Sequence, residues 1–481
     1  MSRFIFIAII FLALLLRAIN LNYNSPFNDE AIYVVVGTEG LFKKDWENLD
    51  AVTWMAGSPY TYPVVTAIAY KIGGLEFSRF INVLFGMGTI YLAGETAALF
   101  QKKRQKLPTA LVTVAIVALL PISFYISRLA TYDIPSFMFI FLGLYFLFRN
   151  MKDKEPKNEL YMLSSVAFFI SFLFKYLAVI YVLYACLVSL LYLKKLKFKN
   201  LFKNGWFSYF IIPILLMFGF YTVTNLSNLY TYITTESTLE ILDIPTKIQM
   251  FVNEYLLIAP LALISFLYLI FSKKVKTAVS FIMGTLFVLV FHFVYPGAPS
   301  YDKHIFLSGV FMSIPIGIAL PLIYEKINIG KRAKSFLRGN FIGFLLFMLI
   351  YLFSVMPTIN NKWLNLGQSL NFLNGRVKKG DTVLTESGDA FVLALYEKIN
   401  PVYTVTFDYI NYLENEKSNE GSNIYTRAVE DGYFNFIELE NQNIPKLERS
   451  KELNSLISEI IEENYHEIYN EKGVKIYERR F

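Results

Sequence analysis

Long apolar runs separated by short charged stretches fill the first three quarters of the chain. A helix needs about 20 predominantly apolar residues to cross the hydrocarbon core of a bilayer. The pattern predicts eleven transmembrane helices, of which the fifth and sixth are separated only at Lys175. If these two formed one helix, every later segment would have the opposite orientation. The runs lie at roughly 4–21, 80–101, 107–126, 134–149, 160–174, 176–193, 207–224, 255–272, 278–295, 304–324 and 339–357.

A polar stretch follows the first run at residues 24–78 and carries two adjacent acids near its start, Asp29 and Glu30. Its part at 60–71 is apolar but too short to cross a bilayer, so it predicts an interfacial helix. Acids favour the first turn of a helix, and the pair could therefore simply cap a loop helix. Acids at a membrane surface beside a long loop would also suit an enzyme acting on a lipid-linked polar substrate.

The pattern changes after Pro357, where charged residues become frequent and short β-like runs alternate with helical ones. The alternation predicts strands at 382–385, 402–406, 434–438 and 474–477, and helices at 390–398 and 451–463. We therefore expect two domains: a transmembrane catalytic domain at 1–357, which includes the loop 24–78, and a small α/β domain at 358–481 outside the membrane.

The amino-acid composition is typical of a membrane protein and excludes several kinds of disulfide and metal site. The 481 residues are 55% hydrophobic and 17% aromatic, with a mean hydropathy of +0.44, which is too apolar for a soluble protein of this length. Cys186 is the only cysteine, so an intrachain disulfide and a cysteine-based metal cluster are excluded. The three histidines are widely spaced and form no zinc signature.

The distribution of charge predicts the orientation of the chain. Residues 1–357 carry 31 basic and 18 acidic side chains, whereas residues 358–481 carry 14 and 20. The basic excess thus lies in the membrane part, which argues against nucleic acid as a partner. With eleven spans, one set of loops holds 22 basic residues and the other holds nine. Because basic loops stay in the cytoplasm, we expect a cytoplasmic N-terminus, an external Asp29–Glu30 loop and an external C-terminus.

On this topology, segments far apart in sequence bring charged groups to the outer rim of the membrane. Ionisable residues there are functional candidates, although each one singly could be a charge at a helix end that reaches for water. Arg128 and Asp133 share one tight turn, and a structural pair between them is the alternative to a functional role. The rim residues are Asp29, Glu30, Arg79, Arg128, Asp133, Lys175, Lys303 and His304.

The order of these elements resembles the dolichyl-phosphate-mannose protein mannosyltransferase superfamily, glycosyltransferase family 39, which has the lipid A aminoarabinose transferases as relatives. The resemblance covers about residues 1–325 and implies a GT-C fold. It also implies transfer of a sugar, with inversion, from a polyprenyl-phosphate donor to an acceptor outside the cytoplasm. It rests on Asp29-Glu30, Tyr62-Pro63, Arg79, Arg128 through Asp133, Phe174-Lys175 and the run Tyr301 to His304.

The resemblance implies a role for each matched residue. Asp29 would be the general base, and Glu30 would orient the acceptor, assist Asp29 or only cap the loop helix. A divalent metal is possible through His304, although a lone histidine is more often a hydrogen-bonding group. The candidates for holding the donor phosphate are Arg128, Lys175 and Lys303, and those for binding the rest of the substrate are Tyr62, Tyr132, Asp133 and His304.

The acceptor stays open between a protein, a lipid and a cell-envelope glycan, because Tyr62-Pro63 stands where some subfamilies have a His-rich or Lys-Pro signature. Two other functions compete with transfer. A transporter or flippase for a lipid-linked glycan would place its charges near mid-membrane and often show repeated halves, and this sequence shows neither. A polysaccharide polymerase or ligase would share the lipid-linked donor but need not have Asp-Glu in the first loop.

Overall fold

The computed structural model describes residues 2–44, 54–55, 57–193, 204–236, 242–295, 300–326, 331–407, 422–441 and 448–480. The chain forms two compact units. The first comprises Met1–Leu21, Ala56–Tyr62 and Glu76–Ile359, and the second comprises Asn22–Met55, Pro63–Leu75 and Asn360–Phe481.

Helices make up the described part of the first unit, and each of the eleven predicted apolar runs lies on them. These apolar runs form helices because a backbone without access to water has to satisfy its N–H and C=O groups internally, and a helix does so within one segment. The helices are Ser2–Ala18, the later part of Thr61–Leu99, Lys106–Leu119, Pro121–Ser127, Asp133–Lys152, Asn158–Phe174, Ala178–Tyr192, Ile212–Thr224, Leu226–Glu236, Ile244–Tyr255, Ala259–Phe271, Val275–Val294, Tyr301–Lys326 and Lys331–Asn360.

The predicted helical membrane architecture is confirmed at the level of apolar helices. In the described ranges, five helices are long and apolar enough to cross a membrane, and the number rises to seven if each of two bent helix pairs counts as one span. Three shorter apolar helices, Phe4–Ala18, Asn158–Phe174 and Ala178–Tyr192, accompany them. The count of eleven crossings stays a prediction.

Two of the predicted spans are bent. The helical segments Lys103–Leu119 and Pro121–Ser127 meet at 72°, and Ile244–Tyr255 and Ala259–Phe271 meet at 82°. At the first bend, Pro121 lacks an N–H group and forces Leu120 into an extended conformation, with φ −66° and ψ 128°. The carbonyl of Ala118 loses its helical partner there and accepts a hydrogen bond from Arg17 Nη2 at 2.8 Å.

The predicted separation at Lys175 is confirmed. One helix ends at Phe174, the next begins at Ala178, and Lys175 between them is extended, with φ −152° and ψ 127°. The local sequence has neither proline nor glycine to break the helix. We attribute the break to the buried ion pair that the Lys175 ammonium forms with Asp133 at 2.5 Å.

A five-stranded sheet forms the centre of the second unit. The strands are β1 Val383–Thr385, β2 Thr404–Thr406, β3 Phe436–Glu440, β4 Tyr465–Glu471 and β5 Val474–Arg479. Their order in the sheet is β2-β1-β3-β5-β4. β1 pairs in parallel with β2 and β3, whereas β5 pairs antiparallel with β3 and β4. The helices are Asn28–Thr38, the early part of Thr61–Leu99, Gly367–Arg376, Asp389–Leu395, Ser422–Glu430 and Glu448–Asn464. All four predicted strands are confirmed, and β4 was missed.

Apolar side chains cover both faces of this sheet because successive residues of a strand point to opposite sides. Phe436 joins a cluster with Leu373 and Phe391 on one face. Ile437 joins Ile457, Ile461 and other residues on the opposite face. The helix Glu448–Asn464 therefore packs on the sheet through the side that carries Leu453, Ile457 and Ile461.

The predicted polar loop at 24–78 contains more helix than its composition suggests. Asn28–Thr38 is helical, and the expected interfacial helix at 60–71 is the first part of Thr61–Leu99. This long helix is broken at Gly73 and Gly74, and Gly74 has φ +66°, which glycine adopts at little cost because it has no Cβ.

Candidate active site

A buried carboxylate, Asp133, is the centre of the site in the first unit. It opens the helix Asp133–Lys152 and has no solvent exposure. Its Oδ1 accepts a hydrogen bond from Lys175 Nζ at 2.5 Å, and its Oδ2 accepts one from Thr131 Oγ1 at 2.9 Å. Lys303 Nζ lies 3.8 Å from Oδ2. The structure thus brings together two predicted phosphate ligands and one predicted substrate ligand.

Tyr132 also belongs to this group. The ammonium of Lys175 lies 4.5 Å from the centre of the Tyr132 ring, a distance at which the face of the ring attracts a cation. The Lys175 side chain is therefore fixed between the carboxylate of Asp133 and an aromatic face. A lysine fixed in this way loses little additional side-chain entropy when it binds an anion.

A pair of buried histidines extends the site. His292 Nε2 lies 2.9 Å from His304 Nδ1, so one ring donates to the other. His304 Nε2 lies 3.9 Å from Asp133 Oδ1 and, among the described residues, has no hydrogen-bond partner. The backbone carbonyl of His292 accepts from Lys247 Nζ at 3.1 Å. His304 is thereby oriented with one buried nitrogen toward the Asp133 carboxylate.

Arg128 has surroundings different from those of this cluster. Its Nη2 donates to the carbonyls of Ile19 at 3.1 Å and Asn20 at 2.5 Å. These carbonyls follow the first helix, where the last C=O groups have no intrahelical donor. Asp133 pairs with Lys175 instead, so the alternative of a structural Arg128–Asp133 pair is wrong. Arg79 has a similar contact, since its Nη1 donates to the carbonyl of Leu21 at 2.7 Å.

Tyr62 supports the turn that carries the site. The Tyr62 hydroxyl donates to Asn82 Oδ1 at 3.0 Å. The Asn82 amide in turn donates to the carbonyls of Leu129 at 2.5 Å and Thr131 at 2.7 Å. Because all these groups are buried, the network fixes the backbone just before Asp133.

The two adjacent acids of the second unit differ in their surroundings. Glu30 is fully buried, and its Oε2 accepts a hydrogen bond from the backbone N–H of Phe27 at 2.9 Å. Glu30 therefore caps the helix Asn28–Thr38, one of the roles that the sequence left open. Asp29 precedes it in the same turn and is partly exposed.

Sequence reasoning missed His292, Asn82 and Thr131. His292 could have been found, because it is an ionisable residue inside an apolar run and such residues are candidates by default. Nothing in the sequence pairs it with His304 in particular. Across the described ranges, no group of three or more His, Cys, Asp or Glu residues is placed to hold a metal ion.

Comparisons with known proteins agree with this picture. The family model described as dolichyl-phosphate-mannose-protein mannosyltransferase matches residues 58–221, which include Arg128, Asp133 and Lys175. No curated protein matches the chain by sequence. Among solved structures, the crystal structure of ArnT from Cupriavidus metallidurans bound to undecaprenyl phosphate has a TM-score of 0.64 at 11% identity. That match covers 98% of this chain and 97% of ArnT.

The apo structure of the same ArnT matches over the same shares of both chains, with a TM-score of 0.63 and 11% identity. Identities this low establish the fold alone, which is the ArnT-like GT-C fold expected from the sequence. The family match over part of the chain and the fold match over nearly all of it agree with each other. They confirm that this chain resembles the dolichyl-phosphate-mannose protein mannosyltransferase superfamily.

Proposed function

We propose that the protein is a membrane glycosyltransferase that moves a sugar from a polyprenyl-phosphate donor to an acceptor outside the cytoplasm. The observation that carries the proposal is the buried cluster of Asp133, Lys175, Lys303 and His304. The ammonium groups of Lys175 and Lys303 and the Nε2 nitrogen of His304 are suited to binding a phosphate and sugar hydroxyls. The family match at residues 58–221 and the undecaprenyl phosphate bound to ArnT support this class of donor.

In the proposed reaction, an acceptor hydroxyl attacks the anomeric carbon of the sugar from the face opposite the phosphate. The new C–O bond forms as the bond to the phosphate oxygen breaks, and the configuration inverts. Asp29 takes the proton from the acceptor hydroxyl. Lys175 and Lys303 stabilise the electron pair that remains on the polyprenyl phosphate.

The surroundings of the two acids support assigning the base to Asp29 rather than Glu30. Glu30 uses a carboxylate oxygen to cap its helix, whereas the partly exposed Asp29 can be reached by an acceptor. A transporter or flippase would need the same lipid contacts but no base. The Asp29→Asn variant therefore separates transfer from transport, because it removes the base and preserves the shape of the side chain.

The test uses the full-length protein in detergent or liposomes with a polyprenyl-phosphate sugar and a set of candidate acceptors. We expect wild-type protein to form glycosylated acceptor, and we expect Asp29→Asn to lose transfer by at least about 100-fold, as in the loss of a general base. Transfer at the wild-type rate by Asp29→Asn would contradict the assignment. Movement of the lipid-linked sugar across liposomes without any product would favour the transporter.

Undecaprenyl phosphate tests the anion site independently of the acceptor. We expect it to raise the melting temperature of the wild-type protein and of Lys273→Ala, whose side chain lies outside the cluster. The increase should shrink in Lys303→Ala, because that change removes an ammonium beside Asp133. An equal increase in all three proteins would exclude Lys303 from the phosphate site.

A further inference from the structure

The residues before Asp29 are hydrogen-bonded to residues more than 330 positions later in the chain. Asn24 Nδ2 donates to the carbonyls of Asn360 at 3.1 Å and Trp363 at 3.0 Å. The Ser25 hydroxyl donates to the Leu364 carbonyl at 3.2 Å. All of these residues belong to the second unit.

Ser25 makes two further hydrogen bonds to the same segment. Its hydroxyl oxygen also accepts the backbone N–H of Leu366 at 3.1 Å, and its carbonyl accepts Trp363 Nε1 at 3.1 Å. One serine thus satisfies three separate groups of the segment 363–366. Because Ser25 is only 8% exposed, water cannot easily replace these bonds.

Trp363 packs against the same stretch through its indole ring. Its ring centre lies 5.4 Å from that of Phe27 and 5.8 Å from that of Tyr23, and both pairs meet edge to face. Such pairs add stabilisation beyond the apolar area that they bury. Phe27 immediately precedes the helix Asn28–Thr38, so Trp363 fixes the point at which this helix begins.

The helix also packs on a second element of the segment Asn360–Phe481, the part of the second unit that we call the C-terminal domain. Asn28–Thr38 contacts the helix Asp389–Leu395, and its residues Ala31 and Val35 are fully buried. Asn28 lies beside Gly388, which precedes that second helix and has φ +60°. An 11-residue helix has little stability of its own in water, so these tertiary contacts determine where it lies.

We propose that the C-terminal domain is a positioning scaffold for Asp29, with Ser25 and Trp363 as the positioning residues. This inference rests on the proposed function, in which Asp29 is the general base. A base has to lie within hydrogen-bond reach of the acceptor oxygen, and a misplacement of about 1 Å can cost about 100-fold in rate. The scaffold meets this requirement because it holds the helix Asn28–Thr38 in two ways. It bonds the segment that precedes the helix, and it packs against the buried side of the helix.

Two variants test the proposal in the transfer assay. Ser25→Ala removes the hydroxyl that bonds Leu364 and Leu366, and Trp363→Leu removes both ring contacts and the indole N–H. We expect kcat to fall about 10- to 100-fold in each, with KM for the lipid donor changed less than about threefold. Ser25→Thr keeps the hydroxyl and should recover most of the rate. Ser458→Ala is the matched control, because it removes a serine hydroxyl elsewhere in the same unit.

Hydrogen exchange supplies a readout that does not depend on activity. We expect the amides of residues 28–38 to exchange faster in Ser25→Ala and Trp363→Leu, while the strands of the sheet exchange as in the wild type. Trp363→Phe preserves the ring packing and serves where Trp363→Leu fails to fold. We expect it to lose less rate than Ser25→Ala.

The outcomes separate the two proposals. Loss of transfer in Asp29→Asn together with wild-type kcat in the Ser25 and Trp363 variants would overturn the scaffold and leave the function standing. Wild-type transfer in Asp29→Asn would overturn the role of Asp29, and the scaffold proposal would fail with it. A fall in kcat that Ser25→Thr does not recover, with sheet strands that also exchange faster, would show general destabilisation and would overturn the positioning role.

Discussion

The Lys175 ammonium lies 2.5 Å from the Asp133 carboxylate, with 3% and 0% of the two side chains exposed. Removing Lys175 leaves the Asp133 carboxylate buried away from water, with Lys303 Nζ at 3.8 Å as a more distant counter-ion. We expect Lys175→Ala to lower the free energy of unfolding by about 3–5 kcal/mol. Denaturant unfolding of the protein in detergent measures this loss.

The double variant Lys175→Met/Asp133→Asn is the control for this ion pair. It removes both charges and roughly preserves side-chain volume, so we expect it to recover much of the stability lost in Lys175→Ala. Transfer should stay low in the double variant, because it lacks Lys175, the proposed phosphate ligand. Full recovery of transfer together with stability would show that Lys175 has only a structural role.

Arg128 is expected to matter for stability independently of Asp133. Arg128→Ala leaves the carbonyls of Ile19 and Asn20 without their donor, which should cost about 1–3 kcal/mol. The additional change Asp133→Ala should not recover this loss, because Asp133 pairs with Lys175. Melting temperatures of the two single variants and the double variant test this expectation, and a recovery in the double variant would contradict it.

Two variants, Arg128→Lys and Arg128→Ala, test whether Arg128 also holds the phosphate of the sugar donor. Lysine lacks the planar fork with which arginine binds phosphate oxygens. If Arg128 contacts the phosphate, Arg128→Lys should reduce the stabilisation that undecaprenyl phosphate gives. A stabilisation that stays unchanged in Arg128→Lys and Arg128→Ala would leave Lys175 and Lys303 as the anion ligands.

Glu30 is expected to contribute more to the helix than to the chemistry. Glu30→Gln retains an oxygen that can accept the Phe27 N–H, so stability should change by less than about 1 kcal/mol and transfer should fall less than in Asp29→Asn. Glu30→Ala should lose about 1 kcal/mol by removing the cap. A loss of transfer in Glu30→Gln equal to that in Asp29→Asn would assign the base to Glu30.

Glu438 lies buried in β3, and both it and Glu440 contact the hydroxyl of Ser387. Ser387 Oγ is 2.8 Å from Glu438 Oε1 and 2.7 Å from Glu440 Oε1. A hydroxyl has one hydrogen to donate, so the second contact needs a proton from a carboxyl group. Burial first, and then the charge of Glu440, raises the pKa of Glu438 to about 8 from an ordinary 4.5. Glu438 therefore holds this proton near neutral pH.

The folded state binds the Glu438 proton more tightly than the unfolded chain does. The protonated carboxyl group therefore contributes its full stabilisation of the fold below about pH 4.5. This stabilisation is lost as the pH rises toward the folded pKa of about 8, by up to about 1.4 kcal/mol per pH unit. Glu438→Gln mimics the protonated form and should remove this dependence. Hydrogen exchange of residues 436–440 at each pH measures the difference in stability between the wild type and Glu438→Gln. A difference that stays constant between about pH 5 and about pH 8 would contradict the raised pKa.

The orientation of the chain is a further prediction, based on the asymmetry between basic loops and on eleven spans. A reporter fused after Phe481 should be accessible from outside intact cells. A reporter after the basic run that begins at Lys102 should be accessible only after the membrane is permeabilised. Access to the C-terminal reporter only from the cytoplasm would require an even number of spans.

Much of the fold could be predicted because hydropathy and alternation are local properties of the sequence. The break at Lys175 could be predicted because this charged residue separates two apolar runs. The edge strand β4 was not, because its exposed positions are charged or polar and only Tyr465 is fully buried. The pairing of His292 with His304 depends on how two helices pack, which no local pattern contains.

The helices on either side of Lys175 are short for a bilayer. They have 17 and 15 residues, which at about 1.5 Å per residue extend about 26 Å and about 23 Å. The hydrocarbon core is about 30 Å thick, and a deficit of this kind is relieved when the bilayer thins around the protein. We therefore expect lipid headgroups beside Lys175 to sink toward the membrane centre. This hydrophobic mismatch would let a polyprenyl phosphate reach the ammonium while its anionic group stays within the headgroup layer.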